Sequence, residues 1–156
     1  MSDVTKGQPT SREVVTFQVG DQEFCVDIRN VREIRGWSPV TTLPHSPEFI
    51  MGVLNLRGIV VPIIDVSARL GLGPTTPCPR HVIIIAEMVG RTAGFLVSAV
   101  SKMLELDETA IQPLPEVSRP AQEGGFTQGL IATPDGMLRL LDLSMLFPHT
   151  QERLVS

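Results

Sequence analysis

The chain has 156 residues, 42% of them hydrophobic, enough for one well-buried domain or two small subdomains that support each other. With 13 basic residues against 17 acidic ones the net charge is −4, and no basic run is interleaved with aromatic rings, which argues against nucleic acid as a partner. No stretch approaches the ~20 apolar residues of a membrane span, Met1 to Arg12 lacks the apolar core of a signal peptide, and Cys25 and Cys78 are solitary, so the expected compartment is a reducing cytoplasm.

Residues 13–28 alternate, with Val15, Phe17 and Val19 on one side, and Gly20-Asp21 turns the chain before Phe24, Val26 and Ile28 resume, which predicts a hairpin. Ile28, Val31 and Ile34 recur every three residues, predicting a brief helical turn that runs into the next strand and stops at Gly36. Pro39 and Pro44 frame a short extended piece. Ser46-Pro47-Glu48 reads as a helix start, with Ser46 as N-cap and one helical turn over 47–51. Val53 to Leu56 and Ile59 to Ile64 form a second hairpin around Arg57-Gly58, where Pro62 implies an edge or a bulge. Asp65 caps a short helix over 66–70 that Gly71 ends.

Residues 71–80 are rich in Gly and Pro and read as a linker. After it, the apolar run His81 to Ala86 turns at Val89-Gly90 and returns through Ala93 to Val100. Residues 113–128 read as a mobile loop. Gly129 to Ala132 and Met137 to Leu141 then pair across Pro134-Asp135-Gly136, and Asp142 caps a last short helix that Pro148 terminates.

The chain states one pattern twice. Phe24-Cys25-Val26 after Gly20 returns as Phe95-Leu96-Val97 after Gly90, and Ile63-Ile64-Asp65-Val66-Ser67 returns as Leu140-Leu141-Asp142-Leu143-Ser144. The offsets, 71 residues from Phe24 to Phe95 and 77 from Asp65 to Asp142, suit a duplicated subdomain and are too long for a solenoid repeat. Many short strands with Gly turns and brief helices point to an all-β fold of small barrels.

Little here signals catalysis. His45, His81 and His149 are isolated, without metal-ligand spacing. Gly71-Leu72-Gly73 leads into prolines where a phosphate loop would lead into a helix. Asp65 and Asp142 each precede a short helix and read as N-caps, with a carboxylate pair as the alternative. Polar residues inside apolar stretches say more: Glu33 lies between Val31 and Ile34, and Asn55 and Arg57 sit at a hairpin that needs no guanidinium. Glu33 and Arg57 either form a salt bridge that fixes the turn or present a charged rim to a partner. Trp37, the single tryptophan, is either core or an anchor.

Taken together, Asp27-Ile28, Val31-Arg32-Glu33-Ile34-Arg35-Gly36, Pro47-Glu48-Phe49-Ile50-Met51-Gly52, Asn55-Leu56-Arg57-Gly58 and Val61-Pro62-Ile63-Ile64-Asp65 resemble, in order and spacing, the CheW family of chemotaxis coupling proteins. The match runs from about Arg12 to Pro148. It implies two intertwined five-stranded SH3-like β-barrels in one domain over 12–148, the first mainly 13–70 and the second mainly 81–141, with a C-terminal helix over 142–147 and flexible tails at 1–11 and 149–156. It also implies no enzymatic activity, no cofactor and no direct membrane insertion.

By the same resemblance the partners are the regulatory domain of the histidine kinase CheA and the cytoplasmic tips of methyl-accepting chemoreceptors, met at membrane receptor arrays. Carried over by motif, Val31, Glu33 and Arg57 would bind the receptor, a helix laid in an apolar groove between the barrels. Val40 and Val117 would bind the kinase. Ser98 stands where many relatives have Asp, and Val117 where some carry an aromatic ring. An adaptor in a related array controlling twitching motility or gene expression is the alternative function, and a small hydrolase using Asp65 or Asp142 is a third.

Overall fold

The computed structural model describes residues 11–114, 126–134 and 136–148. Among the described residues ten strands form two five-stranded sheets. They are β1 (Ser11–Val19), β2 (Gln22–Asp27), β3 (Val31–Gly36), β4 (Ile50–Leu56), β5 (Ile59–Asp65), β6 (Val82–Met88), β7 (Arg91–Val97), β8 (Ala99–Asp107), β9 (Thr127–Thr133) and β10 (Gly136–Leu141). One sheet has the order β8-β1-β2-β10-β9 and the other β3-β6-β7-β5-β4. The fold is all-β, as the sequence implies.

The two orders are the same order written in the two repeats. Each repeat runs as a hairpin, a third strand and a second hairpin, and the third strand leaves its own hairpin for the other sheet. The first sheet therefore holds β1 and β2 with β8, β9 and β10, and the second holds β6 and β7 with β3, β4 and β5. The halves expected on either side of 71–80 are therefore shared between the sheets: the first takes two strands from the first repeat and three from the second, and the second takes three from the first repeat and two from the second. Hairpins can be read from local sequence, but a strand's choice of sheet is a long-range pairing that leaves no local mark.

Two junctions make the exchange. Between β2 and β3 a 3-10 turn over Ile28–Asn30 is capped by Asp27, so the expected helical turn is present but ends at Asn30. Between β7 and β8 the crossing residue is Ser98, whose N–H donates to Gln18 O at 2.8 Å and whose Oγ accepts from Gly20 N–H at 3.0 Å. The Ser98 side chain thus ties the crossing to the β1–β2 turn.

Burial follows the strand period. On β6, Ile84 and Ala86 enter a core shared between the sheets, while Ile83 and Ile85 enter the core inside the second barrel. On β2, Phe24 and Val26 face the shared core and Cys25 the inside of the first barrel. Successive side chains point to opposite faces and both faces are buried, so these strands read as unbroken apolar runs. Burial pushes the Cys25 thiol up to about 12, against a smaller opposite pull from the Arg12 charge.

Each barrel closes beyond its third strand. The chain leaving β3 returns to pair Thr41 with Val53 of β4, and the chain leaving β8 pairs Gln112 with Leu130 of β9. Gly52 and Gly129, 77 residues apart, lie under these bridges, where a Cβ would meet Thr41 O at 2.4 Å or Gln112 O at 2.9 Å. Close backbone approach is the reason for glycine at both.

Four local expectations change. Residues 47–51 form no helix: Ile50 N–H donates to Pro47 O in a single turn, Ser46 Oγ donates back to Leu43 O, and Ile50 begins β4. β4 is longer than expected because Ile50 must pair with Ile64. β8 lies beyond the strand expected to end at Val100, and β9 begins at Thr127, two residues early. Val117, His149 and most of the loop and tails expected to be mobile lie outside the described residues.

Asp65 and Asp142 are caps. Asp65, 3% exposed, accepts from Ala68 N–H at 3.4 Å and from Thr75 N–H and Oγ1 at 2.7 Å each, and Asp142 accepts from Ser144 N–H and Oγ. The helical turns they start are Val66–Arg69 and Leu143–Leu146.

Asp27 carries a pH-dependent share of stability. Burial alone would raise its pKa, but the hydrogen bonds and charge of Arg29, helped by the Arg12 charge, hold the carboxyl below its ordinary value of 3.8. A carboxyl whose folded pKa is depressed stabilises fully above the unfolded pKa and loses that stabilisation as pH falls through the folded pKa. Asp27→Asn is therefore expected to be less stable than the wild type at pH 7, with the gap closing below about pH 4. Urea midpoints of both chains at pH 7 and pH 3 check this; a gap that stays constant would contradict it.

Candidate docking site

The site is built on the second sheet, whose outer strands are β3 and β4. A bulge between Val31 and Glu33 shifts the register of β3 against β6. Directly opposed residues share a face, so Val31, opposite Ala86, and Ile34, opposite Ile84, lie on the face of the shared core. Glu33 and Arg35, opposite Ile85 and Ile83, lie on the face of the second barrel's interior. Without the bulge Val31 and Glu33 would point the same way.

Val31 is half-buried and packs against the shared core, while Ile34 is 45% exposed. An apolar strip thus runs from the shared core outward along β3. Ile34 was not singled out as a site residue, although its three-residue spacing from Val31 carried the signal.

Glu33 faces the opposite edge of its sheet. Its Oε1 accepts from Arg57 Nη2 at 3.1 Å and its Oε2 lies 3.6 Å from Arg35 Nη1. The first of the two readings of Glu33 and Arg57 is borne out, since the residues form a salt bridge, and the Arg57 side chain, 75% exposed, remains at the surface. An exposed pair of this kind adds only about 0–1 kcal/mol to stability.

Arg57 stands in an unusual backbone position. It and Gly58 form the two-residue turn between Leu56 and Ile59, with φ of +52° and +88°. Both values are positive, as a type I′ turn requires, and Asn and Gly are the residues that fill such turns without strain. Asn55 supports the turn by accepting from Gly58 N–H at 2.8 Å. A long cationic side chain stands where a short polar one would fold more easily, and backbone strain of this sort concentrates at functional sites. Exposed Ile59 and Val60 follow directly, at 59% and 65%.

Val40 lies elsewhere. It packs with Trp37, Met51 and Leu54 on the core inside the second barrel, immediately before the Thr41–Val53 bridge. Trp37 belongs to that core, the first of its two readings, and its N–H donates to His81 O at 3.0 Å. Glu33 and Arg57 are thus brought into contact, Val31 and Ile34 form the adjoining apolar strip, and Val40 occupies a separate segment. Val117 lies outside the described residues.

Among the described residues no group of three or more His, Cys, Asp or Glu side chains is placed to hold a metal ion, and no helix is long and apolar enough to cross a membrane. His81 Nδ1 accepts from Cys78 N–H at 3.2 Å. Cys25 is buried and Cys78 half-buried, both as free thiols. The backbone N–H of Arg80, then its side chain, holds the Cys78 thiol below its ordinary pKa.

Residues 13–151 match the family model for the CheW-like domain. The chain is 50% identical over 140 residues to the probable chemotaxis protein CheW of Rhizobium etli, and 49% identical over 140 residues to the chemotaxis protein CheW of Rhizobium meliloti; each alignment covers 90% of both chains. Its fold is similar to the crystal structure of the scaffolding protein TtCheW from Thermoanaerobacter tengcongensis, with a TM-score of 0.82 at 33% identity, covering 93% of this chain and 99% of that one. With the family model matched over most of its length and these identities to curated relatives, this chain belongs to the CheW family.

Proposed function

We propose that the protein is a non-catalytic scaffold that couples methyl-accepting chemoreceptors to the histidine kinase CheA in the cytoplasm beneath a receptor array. The observation that carries this reading is Arg57. Its guanidinium is oriented by Glu33 yet 75% exposed, on a turn whose backbone favours another residue. A charge held in that manner gives direction to a partner and adds little to the fold.

In this reading a helix of the receptor tip lies on the apolar strip of Val31 and Ile34, with Glu33 and Arg57 as its polar rim. Val40 contacts the kinase, and Val117 contributes to a second kinase contact. The scaffold acts by holding the kinase in a geometry that receptors bias through differential contacts, which requires no chemistry of its own.

Mixing the chain with a CheA regulatory domain and a receptor tip should give a ternary complex and receptor-dependent autophosphorylation. Ile34→Asp, which places a charge on the strip where solvent already reaches, should weaken receptor binding about tenfold or more while kinase binding remains. Absence of binding to either partner would overturn the scaffold reading. Unchanged receptor binding in Ile34→Asp would remove the strip from the site.

A further inference from the structure

After their third strands, both repeats send out a segment that closes a barrel and then re-enters a sheet. In the first repeat the segment carries Val40, bridges at Thr41 and re-enters at Phe49; in the second it bridges at Gln112 and re-enters at Phe126. Phe49 and Phe126 are 77 residues apart and equivalent in detail, since Phe49 O accepts from Asp65 N–H at 2.7 Å and Phe126 O from Asp142 N–H at 2.8 Å.

One side chain touches both. The Arg69 guanidinium lies 4.0 Å from the centroid of the Phe49 ring and 5.4 Å from that of Phe126, and its Nη2 donates to Met145 O at 3.2 Å. These are cation–π distances to two rings at once. Arg69 belongs to the helical turn of the first repeat, whereas Met145 and Phe126 belong to the second. The position equivalent to Arg69, 77 residues on, is Leu146, which is buried in the shared core and has no charge to offer. A charged clasp of this kind is thus built on one repeat's helical turn and not on the other's.

We propose that Arg69 is a positioning residue that clasps the two re-entry points and so holds the Val40 segment and its counterpart over Ile111–Leu114 in one fixed relation. It acts through Phe49 and Phe126. The consequence for kinase binding rests on the docking role given above to Val40; the clasp itself does not. If a scaffold works by geometry, the relation between its docking segments is the quantity to be fixed, and the two re-entry points are where one contact can fix it.

Hydrogen exchange and kinase binding test this together. In Arg69→Met, which keeps the apolar stem and removes the guanidinium, exchange at the bridge amides of Thr41, Val53, Gln112 and Leu130 should quicken about tenfold, a change of the size cation–π contacts produce. Amides of the central strands β2 and β6 should keep their protection. Affinity for the CheA regulatory domain should fall about tenfold, and Arg69→Lys, which retains a cation, should recover part of both effects. Phe126→Leu should reproduce the faster bridge exchange, and it supplies the answer if Arg69→Met does not fold.

Unchanged bridge exchange overturns the clasp. Exchange that quickens equally in all strands overturns it too, because Arg69 would then be an ordinary stabilising residue. Loosened bridges with unaltered kinase affinity overturn the positioning role. A wild-type chain that fails to bind the kinase domain would count against the docking reading, while the exchange measurements would still decide the clasp.

Discussion

Gly52→Ala is expected to be the most damaging single-atom-group addition in the second barrel, costing about 2–4 kcal/mol through overpacking and backbone strain. The added Cβ would lie 2.4 Å from Thr41 O, 2.8 Å from Val40 Cγ2 and 2.9 Å from Thr41 C, and Gly52 has φ of +155°. Two of those three atoms are backbone. They cannot withdraw without breaking the bridge in which Thr41 N–H donates to Val53 O at 3.0 Å and Val53 N–H to Thr41 O at 2.9 Å. A chain of this length would lose roughly 5–15 °C in thermal midpoint, which calorimetry would measure.

The same substitution should impair kinase binding beyond what instability explains, because Val40 is the side chain displaced. Gly129→Ala is the comparison. There the nearest atom is the Ile111 Cγ2 methyl at 2.6 Å and the backbone oxygen of Gln112 follows at 2.9 Å, so part of the clash can be relieved by a side-chain rotation. A smaller loss is expected. If Gly52→Ala were as stable as the wild type, the barrel closure at Thr41–Val53 would not be the constraint described.

What was legible in the sequence and what was not divide along a physical line. Hairpins were legible because both their partners and their turns are local: Gly20-Asp21, Arg57-Gly58 and Val89-Gly90 all turn where expected. The N-caps at Asp65 and Asp142 were legible for the same reason. The strand exchange left no local mark, since the repeat tells which strands correspond but not which sheet each one joins; only the family resemblance implied that the barrels intertwine. β8 escaped notice because it is an outer strand of its sheet with mostly exposed residues, and Leu104 and Leu106 alone mark its inner face. Ser46-Pro47-Glu48 has the residues of a helix start, yet pairing of Ile50 with Ile64 outweighs a preference worth about 1 kcal/mol.

Of the candidate site, Glu33 and Arg57 were legible as polar residues in apolar surroundings, and their contact answers the question of whether they pair. The bulge after Val31 was invisible, and with it the fact that Val31 and Glu33 lie on different faces. The family resemblance supplied the docking roles proposed for them; geometry supplies the apolar strip that extends to Ile34.

Arg57→Asn separates fold from docking. Asparagine next to Gly58 makes the Asn-Gly pair that a type I′ turn favours, so relief of the strain at φ +52° should contribute about 0.5–1 kcal/mol. Loss of the Glu33 ion pair should remove about 0–1 kcal/mol. The two nearly cancel, and the variant should melt within a few degrees of the wild type or slightly above it. Receptor-dependent kinase activation should nonetheless fall about tenfold or more in the docking role proposed for Arg57, since Arg is among the residue types that carry binding energy at interfaces. Val89→Asn provides the control within the same chain. Val89 and Gly90 form another turn with positive φ at both residues, +51° and +77°, and Val89 is 95% exposed. A β-branched residue is still less suited to that backbone than Arg, so Val89→Asn should gain stability and leave activation unchanged. Full activation by a folded Arg57→Asn chain would remove Arg57 from the docking site; loss of activation in both variants would mean that turn stiffness, and not the guanidinium, is what the receptor senses.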